Sequence, residues 1–173
     1  RKTDREERFP FEAYRQMAEL GFLGVNIDPE FGGAGAGAVG YSLAMMEISR
    51  ACAATAVGMA VTNMCGELIC QFGTPEQKTK YVNQLVSGQA VAGAFALSEP
   101  HCGSDAGALT TSAMQHGKVW RINGTKQWIT SGAHAGVIVV WARTSPNGNR
   151  GLSCFIVEKG AAGLIVGRPE EKM

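Results

Sequence analysis

The spacing of apolar positions changes from helical to strand-like near residue 89. Before that point apolar residues recur every three or four positions, as in the stripe through Phe11, Tyr14 and Met17 that leads to a predicted stop at Gly21. After it, apolar residues come in short runs separated by turn residues. The pattern therefore predicts a helical first half and a β-rich second half.

Two long helices and one capped helix are expected in the first half. The segments 39–50 and 53–72 are apolar on most sides, which predicts helices buried in a bundle. The run Thr74-Pro75-Glu76-Gln77 has a hydroxyl at the N-cap, proline at the first helical position and glutamine at the third, which is the pattern of a capping box. We expect the helix that it starts to end at Ser87-Gly88.

The second half contains the predicted strands. They cover 91–97, 119–122, 127–130, 137–143 and 152–157, with a last short run at 164–166. Asn123-Gly124, between the second and third of these, is the strongest short hairpin signal in the chain. Helices that precede strands without alternating with them indicate an α+β fold. We therefore predict a helical domain over residues 1–89 and a β domain over residues 90–173.

The composition argues against several classes of protein. The 16 Lys and Arg residues against 15 Asp and Glu leave a net charge of +1, which argues against a nucleic-acid binder and a polybasic membrane-surface protein. The five cysteines are odd in number and form no C-x-x-C pair, so neither a disulfide framework nor a metal site is expected. The longest apolar stretch, 51–65, is shorter than the ~20 residues that span a bilayer, so no transmembrane segment is predicted.

Glycine is abundant, at 23 of 173 residues, and one run spells a dinucleotide-binding fingerprint. Gly35-Ala36-Gly37-Ala38-Val39-Gly40 matches G-x-G-x-x-G. The fingerprint functions after a strand, before a helix, and with an acidic residue about 20 positions on. Here turn residues precede it, and no Asp or Glu lies between Glu47 and Glu67. We interpret the run as a glycine-rich loop before a buried helix.

The stretch from Phe95 to Ala108 combines the end of a strand with a polar loop. Gly103 allows a ligand to approach the backbone, while Ser98 and Ser104 add hydroxyl groups that donate or accept hydrogen bonds. Neighbouring N–H groups of such a loop can hold phosphate oxygens. The residues by themselves fit a helix-capping turn equally well.

A second segment, 126–132, carries an aromatic residue and a hydroxyl two positions apart. On a strand, Trp128 and Thr130 would lie on the same face. An aromatic plane beside a hydroxyl suits a flat heteroaromatic ring with polar edges, such as a flavin. A tryptophan in the core explains this segment as well, so the two segments become informative only together.

Together, the spaced motifs resemble those of the acyl-CoA dehydrogenase family over the whole chain. The most specific matches are Ala96-Leu97-Ser98-Glu99 with Gly103-Ser104-Asp105, and Asn123-Gly124-Thr125-Lys126 with Trp128-Ile129-Thr130. Two positions depart from the family pattern. Cys102 stands where the family usually has Gly, Ala, Ser or Asn, and Ser131 replaces a common Asn. We expect Cys102 to act as a passive small residue.

The resemblance implies a fold and a cofactor. An all-helical N-terminal domain would be followed by a β-barrel-like middle domain and then by a C-terminal four-helix domain. FAD would lie against the middle domain and reach a neighbouring subunit, which implies a homodimer or homotetramer. Carried over by position, the cofactor-binding residues would be Phe95, Ala96, Leu97, Ser98, Gly103, Ser104, Trp128, Ile129 and Thr130.

Individual roles follow from the same resemblance. Ser98 would hydrogen-bond the isoalloxazine edge, Trp128 would pack against the flavin, and the Thr130 hydroxyl would lie near the reactive nitrogen. Ser104 would also contact the pantetheine part of the substrate. The implied reaction, as in fatty-acid β-oxidation, is α,β-dehydrogenation of an acyl-CoA thioester to a trans-2-enoyl-CoA, with short to medium chains favoured. A carboxylate would take the α proton, and an electron-transferring flavoprotein would accept the electrons.

Two alternatives stay open. One is an acyl-CoA oxidase or flavin-dependent monooxygenase on the same fold, and the other is a non-catalytic scaffold. No residue here corresponds to the family's catalytic base, a Glu of the C-terminal domain, and Glu99 is expected to be structural. We therefore expect an inactive fragment that lacks the first helix and the C-terminal domain. The resemblance implies a cytoplasmic protein in a bacterium and a mitochondrial matrix protein in a eukaryote, with no targeting segment visible.

Overall fold

The computed structural model describes residues 8–169. Helices α1 (Phe11–Glu19), α2 (Gly37–Ala51), α3 (Ala53–Phe72) and α4 (75–86) come first in the chain. Strands β1 (Gly93–Ala96), β2 (Ser112–His116), β3 (Val119–Asn123), β4 (Val137–Arg143) and β5 (Leu152–Glu158) follow. The predicted α+β architecture, with helices before strands, is confirmed.

Helix α4 begins at the predicted capping box. The Gln77 N–H donates to Thr74 Oγ1 at 3.3 Å, and the Thr74 N–H donates to Gln77 Oε1 at 2.9 Å. The middle of the helix, Lys78–Val82, is wound as a π-helix. Gly88 follows the helix with a φ of +76°, a value that glycine adopts without strain. Both ends of α4 are therefore encoded locally, as predicted.

The two long helices differ in burial. Eight residues of α3 are buried, among them Met59, Cys65 and Ile69. Within residues 8–169 no residue of α2 is buried, and Val39 and Met46 are more than half exposed. The prediction of a helix buried in a bundle therefore holds for α3. It is wrong for α2, whose apolar outer side is not covered by any of the described elements.

Helix α3 is also the one helix in the described part of the chain that is long and apolar enough to cross a membrane by length and composition alone. Its buried side chains belong to the protein core. Met59 packs in a cluster with Tyr14 and Ile138, and Ile69 packs in a second cluster with Val137. The helix thus acts here as the core helix of a folded domain, and the absence of a transmembrane segment stays a prediction.

The mixed sheet is organised around β4. Strand β5 pairs antiparallel with β4 along its whole length, from Val137↔Glu158 to Arg143↔Leu152. Strand β1 pairs with β4 in parallel, and β2 meets it in parallel at Ser112↔Arg143. Alternate residues of β4 enter the two core clusters, Ile138 one and Val139 the other. Both faces of β4 are therefore buried, which explains its continuous apolar run.

The hairpin lies before the predicted turn. Strands β2 and β3 pair from Ser112↔Asn123 to His116↔Val119, around a turn in which Gly117 has a φ of +62°. The predicted Asn123-Gly124 hairpin is wrong, as are the strands at 127–130 and 164–166, where the structure has no strand. Strand β2 was missed because its polar residues interrupt the apolar pattern.

The glycine-rich run at 35–40 agrees only in part with its interpretation as a loop before a buried helix, because residues 37–40 form the first turn of α2 and no described residue of α2 is buried. A short 3-10 helix, Pro29–Phe31, and a turn precede it, and α2 begins at Gly37. The fingerprint therefore lacks the preceding strand that a dinucleotide site needs.

Candidate functional site

The structure brings the two predicted segments side by side. The Gln127 N–H donates to the Ser98 carbonyl at 2.9 Å. Lys126 Nζ donates to the Leu97 carbonyl, also at 2.9 Å. The polar loop that follows β1 and the segment that follows β3 therefore form one continuous surface.

Glu99 joins these two segments. Only 1% of its side chain is exposed, and its carboxylate accepts four hydrogen bonds. Lys126 Nζ and the Thr111 N–H donate to Oε1 at 2.8 and 2.9 Å, and the N–H and hydroxyl of Thr110 donate to Oε2 at 2.8 and 2.9 Å. All four donors come from outside the Glu99 loop, so the carboxylate fixes that loop to the rest of the domain.

These hydrogen bonds also set the charge of Glu99. Burial by itself would raise the pKa of Glu99, but the hydrogen bonds from Lys126 and the two threonines outweigh burial and hold the pKa well below its usual range. The carboxylate is therefore ionised and fully engaged. A group in this state is poorly suited to accept a proton from a substrate, which agrees with the structural role expected for Glu99.

The loop after Glu99 is a tight turn with an open outer side. Glu99 and Cys102 exchange two backbone hydrogen bonds, at 2.8 and 3.1 Å. The turn buries the Cys102 side chain and leaves Gly103 and Ser104 exposed. A Cβ placed on Gly103 would meet only Ser98 Oγ, at 3.9 Å. Ser98 and Gly103 therefore border the same open space, where a ligand can approach the backbone.

The side chains of Glu99, His101 and Cys102 offer a carboxylate, an imidazole and a thiol within 4.8 Å of one another. The Glu99 oxygens are already occupied by four donors, one of which is the Lys126 ammonium group. We therefore assign no metal to this group of residues.

Trp128 lies in a turn, not on a strand. Its φ is +62° and the residue is 59% exposed. The prediction that alternation on a strand places Trp128 and Thr130 on one face is therefore wrong. Ser131 also has a positive φ, +60°, and each left-handed residue other than glycine costs about 1–2 kcal/mol.

Hydrogen bonds hold this strained turn in place. The Gly132 N–H donates to the Ile129 carbonyl at 3.0 Å, and the N–H groups of His134 and Ala135 donate to the Ser131 carbonyl at 2.9 and 2.8 Å. The turn leads directly into β4, a buried strand. Strand β4 thus anchors the backbone that carries the exposed indole of Trp128.

The remaining predicted cofactor contacts differ in accessibility. Leu97, Ser98, Ile129 and Thr130 are half-buried, whereas Gly103, Ser104 and Trp128 are exposed. Ala96 is buried in the core, and the half-buried Phe95 ring lies 6.1 Å from the Trp141 ring. The strand residues Phe95 and Ala96 therefore support the surface from behind, and a ligand would meet the loop and turn residues first.

The chemistry of this surface fits a flavin dinucleotide. It offers an exposed aromatic plane at Trp128, hydroxyl groups at Ser98, Ser104 and Thr130, and an open backbone at Gly103. An aromatic plane suits a heteroaromatic ring, and hydroxyl groups with free backbone suit its polar edge and a pyrophosphate.

Sequence reasoning gave Glu99 a structural role but missed the contacts that hold the site together. The opposite charges of Glu99 and Lys126, each within a motif, were a signal that the two could pair. No signal linked the N-terminal helix to the Trp128 turn, yet the Tyr14 and Ser131 hydroxyl groups lie 3.5 Å apart across 117 positions.

Comparison with known proteins matches both halves of the chain. The acyl-CoA dehydrogenase N-terminal domain model matches residues 1–89, and the middle domain model matches residues 94–173. The chain is 44% identical over 175 residues to the mitochondrial short-chain specific acyl-CoA dehydrogenase of Bos taurus, covering 99% of this chain and 42% of that protein. It is 43% identical over 172 residues to an acyl-CoA dehydrogenase of Bacillus subtilis, covering 98% and 45%.

Comparison with solved structures also identifies acyl-CoA dehydrogenases as similar to this chain. Butyryl-CoA dehydrogenase from Megasphaera elsdenii superimposes with a TM-score of 0.91 at 33% identity, over 99% of this chain and 46% of that chain. A glutaryl-CoA dehydrogenase of Mycobacterium smegmatis in complex with FADH2 superimposes with a TM-score of 0.88 at 33% identity, over 95% and 42%.

The chain spans less than half the length of these relatives. Over that length both domain models match in order, and the site surface carries the motifs of the family in contact with one another. The chain belongs to the acyl-CoA dehydrogenase family of FAD-dependent oxidoreductases.

Proposed function

We propose that this protein catalyses the FAD-dependent α,β-dehydrogenation of an acyl-CoA thioester, with short to medium acyl chains as substrates. The observation that carries the proposal is the contact between the Ser98 loop and the Trp128 turn, which presents an exposed indole next to open backbone and hydroxyl groups. The similarity to proteins named short-chain specific acyl-CoA dehydrogenases favours the short end of the substrate range.

The residues of the surface have distinct tasks in this proposal. Trp128 packs against the flavin ring, and the hydroxyl groups of Ser98 and Thr130 hydrogen-bond its polar edge. The loop at Gly103 and Ser104 binds the pyrophosphate, and Ser104 also binds the pantetheine part of the substrate. FAD, when bound, supplies the hydride acceptor for the reaction.

Glu99 has no proton-transfer role in the proposal. Its carboxylate holds the loop through Lys126 and the two threonines, so the α proton goes to a carboxylate outside the residues described here. We further propose that an electron-transferring flavoprotein accepts the electrons and that the protein works as a homodimer or homotetramer. This chain is similar to a chain from the structural study of the electron transferring flavoprotein of Acidaminococcus fermentans, with a TM-score of 0.94 at 36% identity, over 99% of this chain and 45% of that chain.

The direct test uses protein expressed from its full reading frame and loaded with FAD. Addition of butyryl-CoA without oxygen should bleach the oxidised flavin, and the bleached protein should reoxidise slowly in air. Trp128→Ala should lower flavin affinity about tenfold, because a stacked aromatic contact is lost. Trp120→Ala is the matched control, since Trp120 is exposed on β3 and packs against Phe155. Equal loss of flavin in both variants would contradict the assigned surface.

An oxidase is the second candidate. The prolyl acyl carrier protein oxidase AnaB superimposes with a TM-score of 0.90 at 32% identity, over 99% of this chain and 46% of that chain. Rapid reoxidation in air with production of hydrogen peroxide would favour the oxidase. Flavin that binds but is not bleached by any acyl thioester would favour a non-catalytic scaffold.

A further inference from the structure

The turn that carries Trp128 is in contact with the helical domain at two places. The Tyr14 hydroxyl, on α1, lies 3.5 Å from the Ser131 hydroxyl. The Phe9 ring lies 4.4 Å from the His134 ring and 4.7 Å from the Tyr14 ring. The start of α1 therefore touches both ends of the short stretch from Ser131 to His134.

The Tyr14 hydroxyl occupies a notch on helix α3. Only 3% of Tyr14 is exposed, and a Cβ placed on Gly58 would lie 1.7 Å from its hydroxyl oxygen. The same position on Gly58 would be 3.5 Å from Ser131 Oγ. Glycine at 58 is thus what allows the phenol to reach Ser131. Burial raises the pKa of Tyr14, with a smaller opposing effect of Ser131, so the phenol stays protonated.

The turn needs contacts of this kind. Trp128 and Ser131 both adopt left-handed backbone conformations, which residues with a side chain adopt only when their surroundings impose them. Within the turn, the carbonyl groups of Ile129 and Ser131 accept backbone hydrogen bonds from residues 132–135, which lie closer to β4 along the chain. Tyr14 is the partner that the helical domain contributes at Ser131.

We infer that Tyr14 is a positioning residue for the flavin, acting through Ser131 on the backbone that presents Trp128. The inference rests on the proposed function, since it assumes that Trp128 packs against FAD. Tyr14 is only 3% exposed and is not one of the proposed flavin-contacting residues. Removal of its hydroxyl should therefore change the environment of the flavin although every proposed flavin-contacting residue is still present in the sequence.

The test is Tyr14→Phe in the FAD-loaded protein expressed from its full reading frame. We expect FAD affinity to fall about fivefold, as for the loss of one hydrogen bond, with a shifted flavin absorption spectrum and a changed flavin midpoint potential. Ser131→Ala should give the same changes, and the double variant should be no worse than either single variant, because both remove one interaction. Ser131→Asn should keep the FAD affinity, flavin spectrum and midpoint potential of the wild-type protein, since Asn has a hydrogen-bonding group and tolerates positive φ.

Tyr81→Phe is the matched control. It also removes a tyrosine hydroxyl that donates a hydrogen bond, to Glu158 at 2.8 Å, on an exposed part of the chain. It should leave the flavin spectrum, potential and affinity unchanged. If the wild-type protein binds no FAD, the proposed function fails. If it binds FAD and Tyr14→Phe matches it in spectrum, potential and affinity, the positioning role of Tyr14 alone is wrong.

Discussion

Lys126 Nζ lies 2.8 Å from Glu99 Oε1 at a point where only 11% of the lysine side chain and 1% of the glutamate side chain are exposed. The pair joins the loop after β1 to the segment after β3, which are the two sides of the proposed flavin surface. A buried ion pair of this kind is costly to break from one side, because the remaining charge stays buried without its partner.

Replacement of Lys126 should therefore destabilise the protein strongly. We expect Lys126→Met to lower the free energy of unfolding by about 2–4 kcal/mol, since Glu99 keeps its hydrogen bonds from the threonines but loses its counter-charge. Urea denaturation measures the change. Lys80→Met is the control, because the Lys80–Glu158 pair is half exposed on both sides and solvent screens its charges, so its loss should destabilise the protein far less. Equal effects of the two variants would contradict the structural role of Glu99.

The stability of the protein should depend on pH through Glu99. The pKa of Glu99 is lowered in the folded state, so its stabilising effect is complete above the ordinary glutamate value near 4.3 and is lost as pH falls below that value. Urea denaturation of wild type and Glu99→Gln at several pH values measures this effect. The difference in unfolding free energy between them should be largest near neutral pH and shrink below about pH 4. A difference that is independent of pH would show that the carboxylate charge is unimportant.

Gly103 should matter for ligand binding and not for folding. A Cβ at this position has open space around it apart from Ser98 Oγ at 3.9 Å, so Gly103→Ala should change the unfolding free energy by less than about 0.5 kcal/mol. The added methyl group would stand where a ligand approaches the backbone, and FAD affinity should fall about tenfold. Gly167→Ala is the control, since its Cβ would also meet open space and Gly167 is not one of the residues of the proposed flavin surface. Flavin titration with thermal unfolding separates the two effects.

The cysteines should react in an order set by their surroundings. Cys52 is exposed, and hydrogen bonds from Thr55 lower the pKa of its thiol. Burial raises the pKa of Cys65 to about 12 and that of Cys154 to about 11. A thiol reagent near neutral pH should therefore modify Cys52 first, and Cys52→Ser should remove the fast phase. Labelling of Cys65 before unfolding would contradict the described core.

Features encoded by neighbouring residues were predicted well from the sequence. The capping box at Thr74, the glycine that follows α4 and the bounds of β4 all appear in the structure, because a few adjacent side chains and backbone groups determine them. The hairpin was placed wrongly because Asn123-Gly124 is a local turn signal, whereas the pairing of β2 with β3 depends on a strand whose polar residues give no clear pattern.

The sequence by itself determined the class of the fold, the family and the two segments that carry the chemistry, since these depend on residue type and spacing. The tertiary structure decided how those segments meet. Two contacts join residues that are far apart along the chain, the Glu99–Lys126 pair and the approach of Tyr14 to Ser131. The left-handed backbone at Trp128 likewise appears only in the folded chain. Such contacts depend on the packing of segments that are distant in sequence, and periodicity along a single chain carries no information about them.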